Sequence, residues 1–407
     1  MDMNVAKSDV TQIRVEASES SITLAIGLLA FTMFVIVTSE FVVVGLLPVM
    51  ATDLNVPLSD TGWFVTWFAL AASLLGPPLA VFAGRYNPRD FLIASTIAFA
   101  TGNLAIALAP HYYIVIATRV LQGSILPAIV SVAAVEAVRL AGAEREGWAI
   151  SRVNLGVAAT TILGVPASAI AADKVGWPAS FASLALLGLI SAGLIALWFP
   201  RVSMGIATQS SMLTEVSLLW RPSFLIQLLL SCVLFTGMFA GYTYIAALLG
   251  TLANIDGATI GWVLMGFGLA GVLGNWVSGR VVDRDPIAAS AWVSFALAIA
   301  MAAVASAGKS LFGLIFVVGL WGSAHLAAFV VSQIRVMQAG RGAEAFALSL
   351  NISACNLGIG FGATLGGIAV THYSVEAAGY FGAAAAAVAF LITIVMIVDR
   401  SRDLDAA

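Results

Sequence analysis

The chain has 407 residues, of which 61% are hydrophobic and only 10% charged, with a net charge of -3 and a mean hydropathy of +1.02. A soluble protein carries about 25% charged residues, and the 18 basic and 21 acidic side chains here cannot cover a solvated surface. Soluble globular, disordered and nucleic-acid-binding classes are excluded, because the sequence has no basic excess, no basic stripe and no long polar tract. A membrane-spanning helix uses about 20 apolar residues, so there is room for about twelve such helices and little else.

Residues 1–22 are polar and mixed in charge, unlike the basic start of a signal peptide, and read as a tail. The first apolar run, 23–49, is longer than a signal core and is expected to be a retained helix. Further runs follow at 60–84, 91–110, 113–139, 147–172 and 178–199. The connection 200–222 interrupts them; its Leu213, Val216, Leu218, Leu219 and Trp220 fit either a short helix on the membrane surface or a plain tether. Apolar runs then resume at 223–250, 258–280, 287–307, 310–336, 343–371 and 376–398, and 399–407 forms a second tail. The predicted fold is an all-α membrane protein. Twelve transmembrane helices form two pseudo-symmetric six-helix bundles, 23–199 and 223–398, joined by the 200–222 linker.

Lysine and arginine alone orient such a chain. With both termini on one side, that side receives Lys7, Arg14, Arg85, Arg89, Arg139, Arg145, Arg152, Arg201, Arg221, Arg280, Arg284, Arg335, Arg341, Arg400 and Arg402. The other side receives Lys174 and Lys309, and Arg119 falls inside a run. A miscounted helix would scramble this split, so count and orientation support each other and both tails are expected to be cytoplasmic.

The two halves share sequence marks. Asn154-Leu155-Gly156 followed by Gly164 is repeated 202 residues later as Asn356-Leu357-Gly358 followed by Gly366. Gly76 precedes Gly84-Arg85 much as Gly274 precedes Asp283-Arg284. Parallel six-helix repeats with a site at their interface are a transporter plan.

These marks carry a resemblance. Over essentially its full length the chain resembles the major facilitator superfamily, and within it the twelve-helix drug:proton antiporter branch with its bacterial sugar-, arabinose- and nucleoside-efflux members. Thr38-Ser39-Glu40-Phe41 with Gly45-Leu46-Leu47-Pro48 is similar to the branch's first helix. Arg119-Val120-Leu121-Gln122-Gly123 matches the fourth-helix motif, and Gly156 with Gly164-Val165-Pro166 matches the fifth-helix antiporter motif. Gly274-Asn275, Gly279 and Asp283-Arg284 match the cytoplasmic-loop motif in its second copy. The first copy reads Gly84-Arg85-Tyr86-Asn87-Pro88-Arg89, with Gly84 where the family has an aspartate that joins a charge relay. Ser168 stands where a glycine usually follows the fifth-helix proline, and Trp177-Pro178 replaces the usual Trp-Arg. The resemblance implies a monomer of the bacterial inner membrane that exchanges a small molecule for protons.

No motif for catalysis or nucleotide binding is present, so the chain is not expected to be an enzyme or ATP-driven. Cys232 and Cys355 lie in apolar runs and His111, His325 and His372 are far apart, so neither a disulfide framework nor a metal site is expected. No cofactor is expected beyond protons as the coupling ion. Ionisable residues inside a membrane are costly and are functional candidates by default. Glu40 is placed roughly 14 Å from one end of its run and Arg119 roughly 9 Å from the same face. The pair is expected to carry and tune the proton, or to form a static ion pair. Glu136, three residues before Arg139, fits a helix-surface pair with a structural or gating role.

His325, Trp321, Tyr242, Tyr244, Asn351, Asn356 and Asn154 are candidates for substrate contact, with helix-to-helix hydrogen bonding as the competing role. Gln227 is a further possibility of the same kind. The leading reading is proton-coupled efflux of a drug, sugar or nucleoside by alternating access; a uniporter or proton-coupled importer is the alternative. A sensor or scaffold is remote, since no soluble output domain is encoded. The expected partners are the substrate and the lipid bilayer, with no nucleic acid.

Overall fold

The computed structural model describes residues 19–142, 145–201, 218–282, 284–306 and 311–405. Among the described residues twelve helices are long and apolar enough to cross a membrane. They are α1 (Glu19–Asp53), α2 (Leu58–Ala83), α3 (Pro88–Leu108), α4 (Tyr112–Ala141), α5 (Glu146–Val175) and α6 (Trp177–Trp198). The second six are α7 (Pro222–Tyr242), α8 (Gly257–Val282), α9 (Pro286–Ser306), α10 (Leu311–Ala339), α11 (Glu344–His372) and α12 (Val375–Asp405). Helices are the outcome the sequence dictates, because a lipid-facing backbone must satisfy its own hydrogen bonds. An even number of crossings places Glu19 and Asp405 on one face, here called the basic face.

Local chemistry sets the helix starts. The Asn87 side chain accepts the Arg89 N–H (3.1 Å) with Pro88 in the first turn of α3. Asp285 Oδ1 accepts from Ile287 and Ala288 at 3.0 and 3.1 Å ahead of α9. Asp256 Oδ1 accepts the Thr259 N–H (2.8 Å) ahead of α8, and hydrogen bonding from Thr259 holds this exposed carboxyl below its usual range. These carboxylates and amides occupy N–H groups that a helix start leaves open.

Two irregularities depart from the plain runs read in the sequence. In α5 the segment Thr160–Gly164 widens into one π-helical turn just before Pro166, which has no N–H to give. Thr160 Oγ1 bonds the Phe34 carbonyl (3.2 Å) and accepts from Thr38 Oγ1 (3.1 Å), tying the bulge to α1. The seventh run is not continuous: α7 stops at Tyr242, turns through Thr243-Tyr244 and resumes as a short helix, Ile245–Ala253. Contacts of Tyr244 with α2 and α11 hold that break.

The internal repeat is visible in the packing. A Cβ on Gly156 would collide with the Ala30 carbonyl of α1, and one on Gly358 with the Cys232 carbonyl of α7, both partners being 202 residues apart. Gly164 meets Thr38 as Gly366 meets Ala240, again at an offset of 202. Gly123 meets Phe68 and Gly322 meets Phe267, both at an offset of 199. Small residues let helices approach closely where no hydrophobic force drives them together. Gly156→Val is therefore expected to destabilise the N-terminal half by about 1–3 kcal/mol. Gly266→Ala, whose Cβ would meet nothing within 4 Å, is the control; thermal melting of the detergent-purified protein compares the two.

The halves meet along two seams, α2 with α11 and α5 with α8. On the second, Gly268 lies against the Thr161 carbonyl, Gly261 against Ile170 and Gly257 against Asp173. On the first, Thr66 Oγ1 contacts Thr364 Oγ1 (3.3 Å), and Ser73 Oγ donates to the Ser353 carbonyl (2.9 Å). The α5–α8 seam is thus closed from the face opposite the basic one down to Thr161. Leu213 and Val216 of the linker lie outside the described residues, as does Asp283. Leu218 is buried against Phe224, Val336, Ala343 and Ala347, while Trp220 is 81% exposed.

Candidate functional site

Arg119 is fully buried in α4, but it does not pair with a carboxylate. Its guanidinium donates to the Ser39 carbonyl (2.6 Å), the Glu40 carbonyl and the Phe64 carbonyl (3.3 Å), and lies 4.4 Å over the Phe68 ring. Gln122 Oε1 lies 3.4 Å from it, and Gln122 Nε2 donates to Asn103 Oδ1 (2.9 Å), which also accepts from Ser39 Oγ (2.9 Å). One buried polar knot therefore ties α1, α2, α3 and α4 together around a single cation.

The structure brings Glu40 and Arg119 together through the main chain of Glu40. Among the described residues the ion pairs are Glu136–Arg139 (3.5 Å), Glu19–Arg145 (3.0 Å) and Asp285–Arg400 (3.2 Å). No ion pair among the described residues joins the Glu40 carboxylate to Arg119; the contact between the two residues is to the Glu40 carbonyl. Because α1 runs on to Asp53, Glu40 also sits about 20 Å from that end, deeper than the sequence run implied. Ser39 entered the sequence reading only as part of the first-helix motif and Asn103 not at all; the only signal for Asn103 is a lone amide in the third apolar run.

A cavity of about 220 Å³ lies between the halves, on the basic side of the Thr161–Gly268 contact. Phe41, Thr161, Tyr242, His325 and Phe329 line its deep end, and Asn154, Asn275 and Gln333 its mouth. These three amides are exposed, so the cavity opens toward the basic face. Phe41 stacks on Phe239 across the halves (6.0 Å), and the His325 ring is packed by Tyr242 (4.5 Å), Phe239 and Phe267 (both 5.4 Å). His325 Nδ1 has no hydrogen-bond partner among the described residues. A second hollow of about 870 Å³ faces the opposite side, between Gly45, Thr52, Asp173, Thr251 and Val375. Between the two hollows α1 runs only from Phe41 to Gly45, a septum about 6 Å thick, and Tyr242 of α7 and Ala246 of the short helix beyond its break line the two sides.

Several sequence candidates lie elsewhere. Tyr244 is not in the cavity: its hydroxyl reaches the Ser59 carbonyl of α2 (3.4 Å) and the Ala363 carbonyl of α11 (3.3 Å). It fits there because Gly62 and Gly367 leave space on either side. Trp321 is fully buried behind the cavity wall, edge-on to Phe267 at 5.8 Å. Asn351 and Asn356 are buried in α11 and do not line the cavity; Asn356 Nδ2 bonds the Ile352 carbonyl one turn back (3.0 Å). Arg335, counted with the basic connections, is 2% exposed inside α10 and donates to Gln227 and Ser231 Oγ (2.7 Å). Each of these burials follows from helix-to-helix packing that a sequence read one run at a time does not display.

The motif residues divide into packing and loop roles. Gly123, Gly156 and Gly164 are close-approach points and Pro166 follows the π-turn; Gly274 packs on Ser323. Glu136 is buried, with one oxygen near Arg139 and the other without a hydrogen-bond partner among the described residues. Gly84 ends α2, Arg89 reaches the Ala196 carbonyl of α6, and Arg85 and Arg284 are exposed on the basic face.

A sequence model described as Major Facilitator Superfamily matches residues 29–341. The inner membrane transport protein YdhP of Escherichia coli (strain K12) is 28% identical over 343 residues, covering 84% of this chain and 88% of that protein. A probable sugar efflux transporter of Mannheimia succiniciproducens is 27% identical over 379 residues, covering 92% and 94%. The nucleoside transporter NupG shares the fold at a TM-score of 0.74 and 13% identity, covering 92% of this chain and 99% of that one. A bacterial homologue of the human lysosomal transporter Spinster, inward-facing and unoccupied, does so at 0.71 and 14%, covering 93% and 96%. With twelve helices in two matching sets and a septum between two hollows, the chain is a transporter of small solutes and belongs to the Major Facilitator Superfamily.

Proposed function

We propose that the protein exports a small organic molecule from the bacterial cytoplasm in exchange for protons, with both termini cytoplasmic in the inner membrane. The observation that carries this reading is a cavity open to the basic face, closed opposite, with buried Arg119 bound to the carbonyl of half-buried Glu40, one residue from its wall at Phe41. Two of its relatives, an inner membrane transport protein and a probable sugar efflux transporter, favour the same membrane and direction. Burial and a nearby guanidinium act on a carboxyl in opposite senses, so a shift of Arg119 relative to Glu40 changes its hold on a proton. Arg119 is bound to carbonyls of α1 and α2, so rearrangement of those helices against α4 is such a shift. Protonation from the periplasm then releases cargo, and deprotonation toward the cytoplasm resets the site.

Direction is tested in cells with and without the protein, loaded with a panel of labelled sugars, nucleosides and drugs. Export predicts lower retention of some compounds, abolished by a protonophore. Higher retention that collapses with the protonophore indicates proton-coupled import, and retention indifferent to it indicates uniport. Orientation has its own test. Single cysteines at Arg85, Arg284 and Asp256 should differ in reactivity toward an impermeant maleimide, with only the Asp256 position labelled from outside; the split of lysine and arginine, 14 to 2 once the buried Arg335 is set aside, is the basis.

A further inference from the structure

The walls of the cavity also carry the chemistry of its ligand, an inference that rests on the export reading for the site itself. Asn154 of α5, Asn275 of α8 and Gln333 of α10 come from three helices and both halves, yet line one cavity. They lie about 9–12 Å from the basic ends of their helices, at a common depth. All three are exposed, and their side chains make no hydrogen bond to the rest of the described protein. Each primary amide offers two donors and an acceptor. A ring of amides with open capacity inside a membrane-spanning bundle is suited to bind something polar.

The deep wall has the opposite character: Phe41, Phe329, Tyr242 and His325 present ring faces and edges. Among the described residues lining the cavity there is no aspartate, glutamate, lysine or arginine. Arg119 and Arg335 do not line it and are already occupied by main-chain and side-chain oxygens of their own bundles. An ionised ligand held there would leave water without a counter-charge on the wall, since Glu40 beside Phe41 does not line it, and that is strongly unfavourable. A neutral ligand with hydrogen-bonding groups at one end and a ring at the other meets both walls.

We propose that the cavity recognises an uncharged ring compound, with its donors and acceptors read by Asn154, Asn275 and Gln333 and its ring against Phe41 and Phe329. The proton exchanged with it then carries all of the net charge, and transport should be electrogenic whatever the external pH.

Matched probes test this: 4-nitrophenyl glucoside, its anionic glucuronide and its cationic 2-amino-2-deoxy analogue, with thymidine and thymidine monophosphate as a second pair. Counterflow of each is measured in proteoliposomes holding the wild-type protein, Asn154→Leu, Asn275→Leu or Gln333→Leu. The neutral member of at least one set should exchange, and its charged partners should be at least tenfold poorer. Each leucine variant should weaken neutral exchange by about three- to tenfold, the loss of one such hydrogen bond, at unchanged melting temperature. Equal exchange of charged partners, exchange of none of the probes, or indifference to all three leucine variants would overturn the assignment. A lumenal pH dye separates this from the export reading. It is read during net uptake into vesicles that hold no cargo, since cargo-for-cargo exchange moves no net proton: neutral uptake without proton movement leaves the ligand class standing and removes antiport, and charged cargo moving with protons does the reverse.

Discussion

Glu40→Gln is expected to insert, fold and still bind or exchange cargo, but to lose every trace of accumulation driven by a pH gradient. The amide keeps the size of the carboxyl and mimics its protonated form, so the surrounding polar knot has no reason to rearrange. What disappears is titration. With a membrane potential added to the pH gradient, one charge crossing 100 mV contributes about 2.3 kcal/mol more, enough by itself for about a 40-fold concentration ratio, and that ratio too should vanish in the variant. Arg119→Ala should also abolish coupling, yet for a different reason. It strands the carbonyls of Ser39, Glu40 and Phe64 that the guanidinium now satisfies, so a lowered melting temperature should accompany it. Arg119→Lys is not a conservative rescue, because one ammonium lacks the planar fork that spans α1 and α2 together. If Glu40→Gln in proteoliposomes still concentrates cargo with normal pH dependence, the proton is carried elsewhere, and His325 is the next group to substitute.

Gly268→Leu should trap the transporter with the opposite face open. At Gly268 even a Cβ would run into the Thr161 carbonyl across the α5–α8 seam, and backbone there cannot give way as a side chain can. Within a half such a clash destabilises folding. Between halves it instead disfavours the one arrangement in which the seam is closed. Overpacking of this size is worth about 1–3 kcal/mol, which converts to about a 5- to 150-fold shift between two states. Cysteine reporters read it: Asn275→Cys in the basic-side cavity should lose reactivity, while Thr251→Cys in the opposite hollow gains it. Unchanged labelling at both positions, with normal protein level, would mean that the halves do not separate at this seam.

Helix number and the small-residue contact positions were legible in the sequence because each rests on a strong local signal. Twenty-residue apolar runs are hard to mistake, and the glycines at 156, 164, 358 and 366 report a close approach wherever the helices come together. The π-turn at Thr160–Gly164 and the break after Tyr242 were not legible. Neither contains a proline at the break itself, and both are held by partners on other helices, Phe34 and Thr38 in one case and Ser59 and Ala363 in the other. The site was half legible. Rarity of charge singled out Glu40 and Arg119, but no pattern announces that an arginine will bind main-chain carbonyls. Tyr244 and Trp321 share the residue types of a binding site and serve as seam and wall. Asn275 and Gln333 line the cavity and passed unremarked as ligands, since an amide near a helix end is ordinary until the opposite half brings another to face it.

Proton release on binding tests the central claim most directly. The purified protein, in weak buffer with a pH-indicator dye, is mixed with a compound that the cell panel has shown it to export. Competition between cargo and proton predicts that binding releases protons near neutral pH, with none released from Glu40→Gln. Saturable binding that leaves the proton count unchanged in both proteins would contradict it.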